Sequence, residues 1–112
     1  MRNDDRIRIQ HIIDACNEIS TFIKGITRQE LDEDRKLVLA IIKEIEIIGE
    51  AANKISNESK ESYPDIPWAD IIGMRNHLIH SYFDIDTEVV WTTALKDIPE
   101  LLSILQRIIN KD

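Results

Sequence analysis

The sequence predicts an all-α protein, a four-helix bundle with short additional helical segments. Long stretches place apolar residues three and four positions apart, the spacing of an amphipathic helix. Glycine and proline number only three each in 112 residues, so turns are scarce and elements long, and isoleucine dominates the apolar set. This length suits one domain over residues 1–112, enough for one core and not two.

From Asp5 to Lys24, the apolar positions Ile9, Ile12, Ile13, Cys16, Ile19, Phe22 and Ile23 define a first helix, closed by Gly25. Thr27-Arg28-Gln29-Glu30 has a capping-box pattern, which predicts a short helical turn. The acidic group Glu30, Asp32, Glu33 and Asp34 reads most simply as a solvated face, although a basic partner could dock there. A second long helix is predicted over Leu37 to Ile55. Its apolar residues cover more than one face, so it is either central or in contact with another subunit.

Ser59 to Pro67 reads as a connection, because Pro64 and Pro67 lack amide donors and bias Tyr63 and Ile66 toward extended backbone. A helix should start near Trp68, carry Ile71, Ile72, Met74, Leu78 and Ile79, and end around Ser81 to Asp84. Asp86 or Thr87 then caps a last helix that begins at Glu88 and continues through Val89, Val90, Trp91, Leu95, Ile98, Leu101, Leu102, Leu105 and Ile108. Pro99 either kinks that helix or opens a new segment.

Composition limits the chemistry. A single cysteine, Cys16, excludes an intrachain disulfide and a cysteine-based zinc cluster, and suits a reducing cytoplasm. His77 and His80 lie three apart, but no third His or Cys nearby completes a metal site, so neither metal nor cofactor is expected. The first residues carry no signal-peptide pattern, and no uncharged run reaches membrane-spanning length; a cytoplasmic location is the expectation, with no membrane partner. The net charge of -7 argues against broad electrostatic capture of nucleic acid. Any RNA chemistry must rest on a local site.

The segment Arg75-Asn76-His77-Leu78-Ile79-His80-Ser81-Tyr82 is the candidate for that site. RNA is cleaved without metal when its 2'-hydroxyl attacks the adjacent phosphate, which requires a base, an acid for the leaving 5'-oxygen and positive charge for the transition state. Histidine titrates near neutrality and can move the proton, and arginine grips phosphate oxygens with a planar fork. Asn76 and His80, four apart, share a helix face, whereas Arg75 and His80 stand roughly 140° apart on an ideal helix. Either the helix loosens before His80, or Arg75 of one subunit works beside His80 of a second. The alternative is that an arginine and a histidine at a helix end only interact with its terminal carbonyls. His77 and Ser81 are weaker candidates, since Ser81 has no triad partner in the sequence.

The pattern Arg75-Asn76-x-x-x-His80-x-Tyr82 resembles the Arg-x4-His-x-Tyr signature of HepT-like toxins in the HEPN superfamily. Ile47-Ile48-Gly49-Glu50-Ala51-Ala52, Tyr63-Pro64-Asp65-Ile66-Pro67-Trp68, Ile72-Gly73-Met74 and Val90-Trp91 through Pro99-Glu100-Leu101-Leu102 follow in the order expected of that family, from about Ile7 to Leu105. The resemblance implies a HEPN-type bundle and a metal-independent endoribonuclease toxin. Arg75 and His80 of two subunits would then meet in a cleft across a homodimer interface, with Asn76 assisting. It also implies a partner, a minimal nucleotidyltransferase antitoxin of the MNT type that transfers AMP to Tyr82. A bulky adenylate near Arg75 would fill the phosphate site and repel RNA.

Other residues read more simply. Trp68 and Trp91 sit among apolar residues at helical spacing, which favours packing over base stacking. Glu50 either faces the cleft or is a solvated or ion-paired carboxylate. His11 and Cys16 are ordinary helix positions. Two further readings stay open: a non-catalytic HEPN subunit that binds nucleotide or substrate for an associated nucleotidyltransferase, and a helical dimerisation protein without a ligand.

Overall fold

A computed structural model of the chain describes residues 1–81 and 84–111, and for His80 and Ser81 the backbone alone. The helices are α1 (Asn3–Ile23), α2 (Arg28–Glu33), α3 (Arg35–Lys54), α4 (Asn57–Ser62), α5 (Trp68–Leu78), α6 (Thr87–Thr92) and α7 (Ile98–Lys111), with a π-helical turn over Thr93–Asp97 between the last two. An antiparallel ribbon joins β1 (Ile79–Ser81) to β2 (Asp84–Ile85) between α5 and α6. The all-α bundle is the architecture expected from the sequence, and α1 packs against both α3 and α7 while α3 also receives α5.

Isoleucine fills the seam between the two longest helices. Ile9, Ile12 and Ile19 of α1 meet Ile41, Ile45 and Ile48 of α3, and all six are fully buried. Burying a side chain of this size contributes about 1.5–3 kcal/mol each before entropy is subtracted, so this seam dominates the fold. Cys16 is buried beside them, and burial, then the charge of Glu44, pushes its thiol up to about 12. Gly25 ends α1 with a φ of 77°, a left-handed turn that glycine adopts without the Cβ clash other residues meet.

Local capping explains the junctions. Thr27 and Glu30 complete the predicted capping box, with the Thr27 hydroxyl accepting from the Glu30 amide at 3.1 Å and Glu30 Oε1 accepting from the Thr27 amide at 2.9 Å. Asp34 caps α3 by accepting from the Leu37 amide, and Asp32 and Glu33 accept from Arg28 and Gln29 one turn back, so with Glu30 all four acidic residues cap or brace helices. Asp86, one of the two residues proposed as the cap of the last helix, accepts from the Val89 amide.

Three sequence-based boundaries are corrected. Part of the expected Ser59–Pro67 connection is helical, because Ser56 caps α4 and the α1 carboxylate of Asp5 reaches across to it. Asp5 is buried and accepts from the Ser56 amide (3.1 Å), the Ser56 hydroxyl (2.6 Å) and the Ser59 hydroxyl (2.6 Å). Burial alone would raise its carboxyl, but these bonds and the nearby Arg2 outweigh it and hold the group below the usual carboxylate range. Next, α5 ends at Leu78 rather than at Ser81 to Asp84. Ile79 is extended (φ -125°, ψ 115°) and pairs with Ile85, and the Leu78 carbonyl accepts from the Asp86 amide at 2.8 Å. Finally, the last helix is three segments. Pro99 has no amide to offer the carbonyl four residues earlier, and the turn before it relaxes to π geometry.

Candidate functional site

Gly49 governs how α3 and α5 meet. A Cβ there would lie 3.4 Å from the Ile72 carbonyl oxygen and 3.5 Å from that of Ile71, so the absence of a side chain lets the two backbones approach closely. One turn back along α3, and one turn forward along α5, Glu46 faces Arg75. The two helices therefore run antiparallel, and the Arg75 Nε donates to Glu46 Oε1 at 2.9 Å. Lys43 lies 4.0 Å from the other Glu46 oxygen, at the limit of an ion pair.

Arg75 is 47% exposed, against 28% for Glu46. Among the described residues its two terminal amino groups have no partner, so the planar fork is anchored at Nε and open at its end. Arg75 and Asn76 line an open groove of about 460 Å³ whose opposite wall carries Glu46, Gly49, Glu50 and Asn53. Glu50 lines that groove and is exposed to solvent.

The other sequence candidates divide. The helix stops two residues before His80, so the geometric objection of an ideal helix no longer applies, although the His80 side chain lies outside what the structure describes. Tyr82 lies outside the described residues. His77 projects to the opposite side of α5, where it lines a separate groove with Asp70 and Asp97. Trp68 is half-buried against the core with its Nε1 donating to the Tyr63 carbonyl, and Trp91 is half-buried too, as packing residues should be. Glu46 was missed. The signal was faint: it stands four residues before Glu50, on one face of α3.

Three shallow grooves adjoin along α3. The central one shares Glu46 and Arg75 with a second lined by Leu39, Ile79 and Ile85, and shares Glu50 with a third lined by Ile7, Ile47 and Ala51. Ile7, Leu39 and Ile72, at 56%, 43% and 37% exposure, lie on this face. No helix among the described residues is long and apolar enough to cross a membrane.

Comparison with known proteins supplies the relation. The family model described as Ribonuclease HepT-like matches residues 12–108, which take in every buried apolar residue except Ile9 and both walls of the Arg75 groove. The chain belongs to the HepT-like ribonuclease family. It is 38% identical over 101 residues to a protein of Thermococcus cleftensis named a probable ribonuclease HepT, covering 90% of this chain and 92% of that one. It is 36% identical over 104 residues to a protein of Caldanaerobacter subterraneus named as a candidate RNase, covering 93% of each. A candidate RNase of Methanocaldococcus jannaschii is 34% identical over 100 residues, covering 89% of this chain and 92% of the relative. No solved structure matches.

Proposed function

We propose that this HepT-like chain is the toxin of a toxin–antitoxin pair: a metal-independent endoribonuclease, active as a homodimer, with Arg75, Asn76 and His80 as its catalytic residues. The observation that carries the proposal is the arrangement of Arg75, held at Nε by Glu46 while its terminal amino groups open onto a groove beside Asn76. A guanidinium so held offers two parallel donors to a phosphate without losing its orientation.

In the reaction, the 2'-hydroxyl oxygen attacks the adjacent phosphorus as a base removes its proton, and the 5'-oxygen leaves as an acid returns one, giving a cyclic phosphate and a free 5'-hydroxyl. Arg75 stabilises the charge on the phosphorane and Asn76 donates to the same region. His80 moves the proton, taking one from the 2'-hydroxyl and returning one to the 5'-oxygen.

The homodimer is supported by the apolar residues around the grooves, since Ile7, Leu39 and Ile72 expose surface that a second copy would cover. The local charge points the same way: Glu46 and Glu50 outweigh Arg75 in one copy's groove, and cationic groups from a second would offset them. Tyr82, two residues beyond His80, is the position at which an MNT-type nucleotidyltransferase would attach AMP and silence the site.

The test is incubation of the purified protein with total RNA in EDTA, beside Arg75→Ala, Asn76→Ala and His80→Ala variants. Cleavage by the wild type that is lost in the Arg75 and His80 variants supports the site. Cleavage that survives in both removes it, and a wild type that binds nucleotide without cutting RNA turns the reading to the non-catalytic subunit.

A further inference from the structure

The side of α5 that faces away from Arg75 borders a second groove, of about 440 Å³, closed by the π turn and α7. After Pro67, the N-cap of α5, Asp70, Ile71, Met74 and His77 descend one face of that helix, and after Asp97, the last residue of the π turn, Glu100, Leu101 and Ile104 descend one face of α7. Both sets follow the i, i+3, i+4, i+7 rhythm, so the groove is an elongated trough between two helices and not a round pit. Its length is that of α5, roughly 16 Å at about 1.5 Å per residue.

Its chemistry is two-layered. Ile71, Thr93 and Leu101 are buried at its floor, whereas Asp70, Asp97 and Glu100 stand exposed on its rim. None of these three carboxylates forms an ion pair among the described residues, and no lysine or arginine lines the trough. Thr93 is only 4% exposed, lines the trough and makes no side-chain hydrogen bond among the described residues, so its hydroxyl is open to a ligand. It opens the π turn, a geometry found often at functional sites.

We propose that this trough docks a cationic amphipathic helix of a partner protein. The partner's apolar residues seat over Ile71 and Leu101, and flanking lysines or arginines meet Asp70, Asp97 and Glu100. Nucleic acid is the wrong occupant, because three unpaired carboxylates repel phosphate. The trough is distinct from the Arg75 groove, so a helix bound there leaves that groove open.

The probe is a fluorescein-labelled peptide of about 14 residues, four turns of helix, with leucines at i, i+4, i+7 and lysines on both flanks. A control replaces every lysine with glutamate. Anisotropy with the full chain should show saturable binding of the lysine peptide, at least about tenfold tighter than the glutamate peptide, and weakened at about 0.5 M salt, where screening is short-ranged. The D97K/E100K double variant should lose about tenfold or more, while the equally charged E33K/E61K variant, altered elsewhere on the surface, should not. Amide shifts in the bound state should map to residues 67–77 and 97–104. The proposal fails if the lysine peptide does not bind, if both peptides bind alike, or if the two double variants behave the same.

Discussion

Asp5 and Glu44 make opposite contributions to stability as pH changes. Asp5 is held below its ordinary range by the Ser56 and Ser59 bonds. Its stabilisation is therefore present above about pH 4, the unfolded carboxylate value, and is lost as pH falls through the lower folded value. Asp5→Ala should destabilise by about 2–4 kcal/mol at neutral pH, since it orphans buried donors, and the deficit should shrink in acid; denaturant melts across pH 2–7 would show it. Glu44 is raised, first by burial and then by Glu18, and its Oε2 is buried without a hydrogen-bond partner. A raised acid stabilises fully below its unfolded value, and that stability is lost as pH rises through the folded value. Glu44→Gln should therefore raise the melting temperature at pH 7 relative to wild type, with the gain vanishing toward pH 4. At the proposed site, Glu46→Ala frees Arg75 from its anchor and should slow RNA cleavage on the order of ten- to a hundredfold without unfolding the chain, measured beside circular dichroism. An unchanged rate would show that the orientation of Arg75 by Glu46 does not matter.

Among the elements, the seam of α3 and α5 decides whether Arg75 reaches Glu46. Gly49→Val sets branched carbons against the Ile72 carbonyl, and should cost about 1–3 kcal/mol while lowering cleavage more than stability alone explains. Thermal melts and the cleavage assay on one preparation would separate the two effects. The long helices were legible because their periodicity is the physical cause of their burial: Ile9, Ile12 and Ile19 repeat as they pack. α4 was not legible, because Asn57 to Ser62 carries no apolar rhythm and is stabilised by a carboxylate 51 residues away in sequence. The end of α5 was misplaced for a related reason. Ile79 continues the apolar rhythm, yet its pairing with Ile85 pulls it into extended backbone. Arg75 and Asn76 could be placed at a groove because they follow Ile72 on the same helix, but Glu46 depends on a helix crossing that no local pattern encodes.

For the whole molecule, the proposed dimer makes a prediction that neither residue nor element can. If Arg75 of one copy serves His80 of the other, Arg75→Ala and His80→Ala chains, each inactive, should recover activity when mixed and refolded together. Random pairing makes half of the dimers mixed, each with one intact site of two, so about a quarter of wild-type cleavage should return. No recovery would place both residues of a site in one chain. The acidic net charge of -7 is compatible with this arrangement only if affinity for RNA is local, and cleavage should then depend less steeply on salt than in a broadly basic nuclease.

The lone thiol between α1 and α3 has a use of its own. With Cys16 fully buried and its proton held to about 12, a thiol reagent at neutral pH can reach it only in the moments when the two longest helices part. Its labelling rate is thus a clock for the opening of the core, ticking at the unfolding rate when the reagent is in excess and more slowly when a partner helix or a second copy holds the bundle shut.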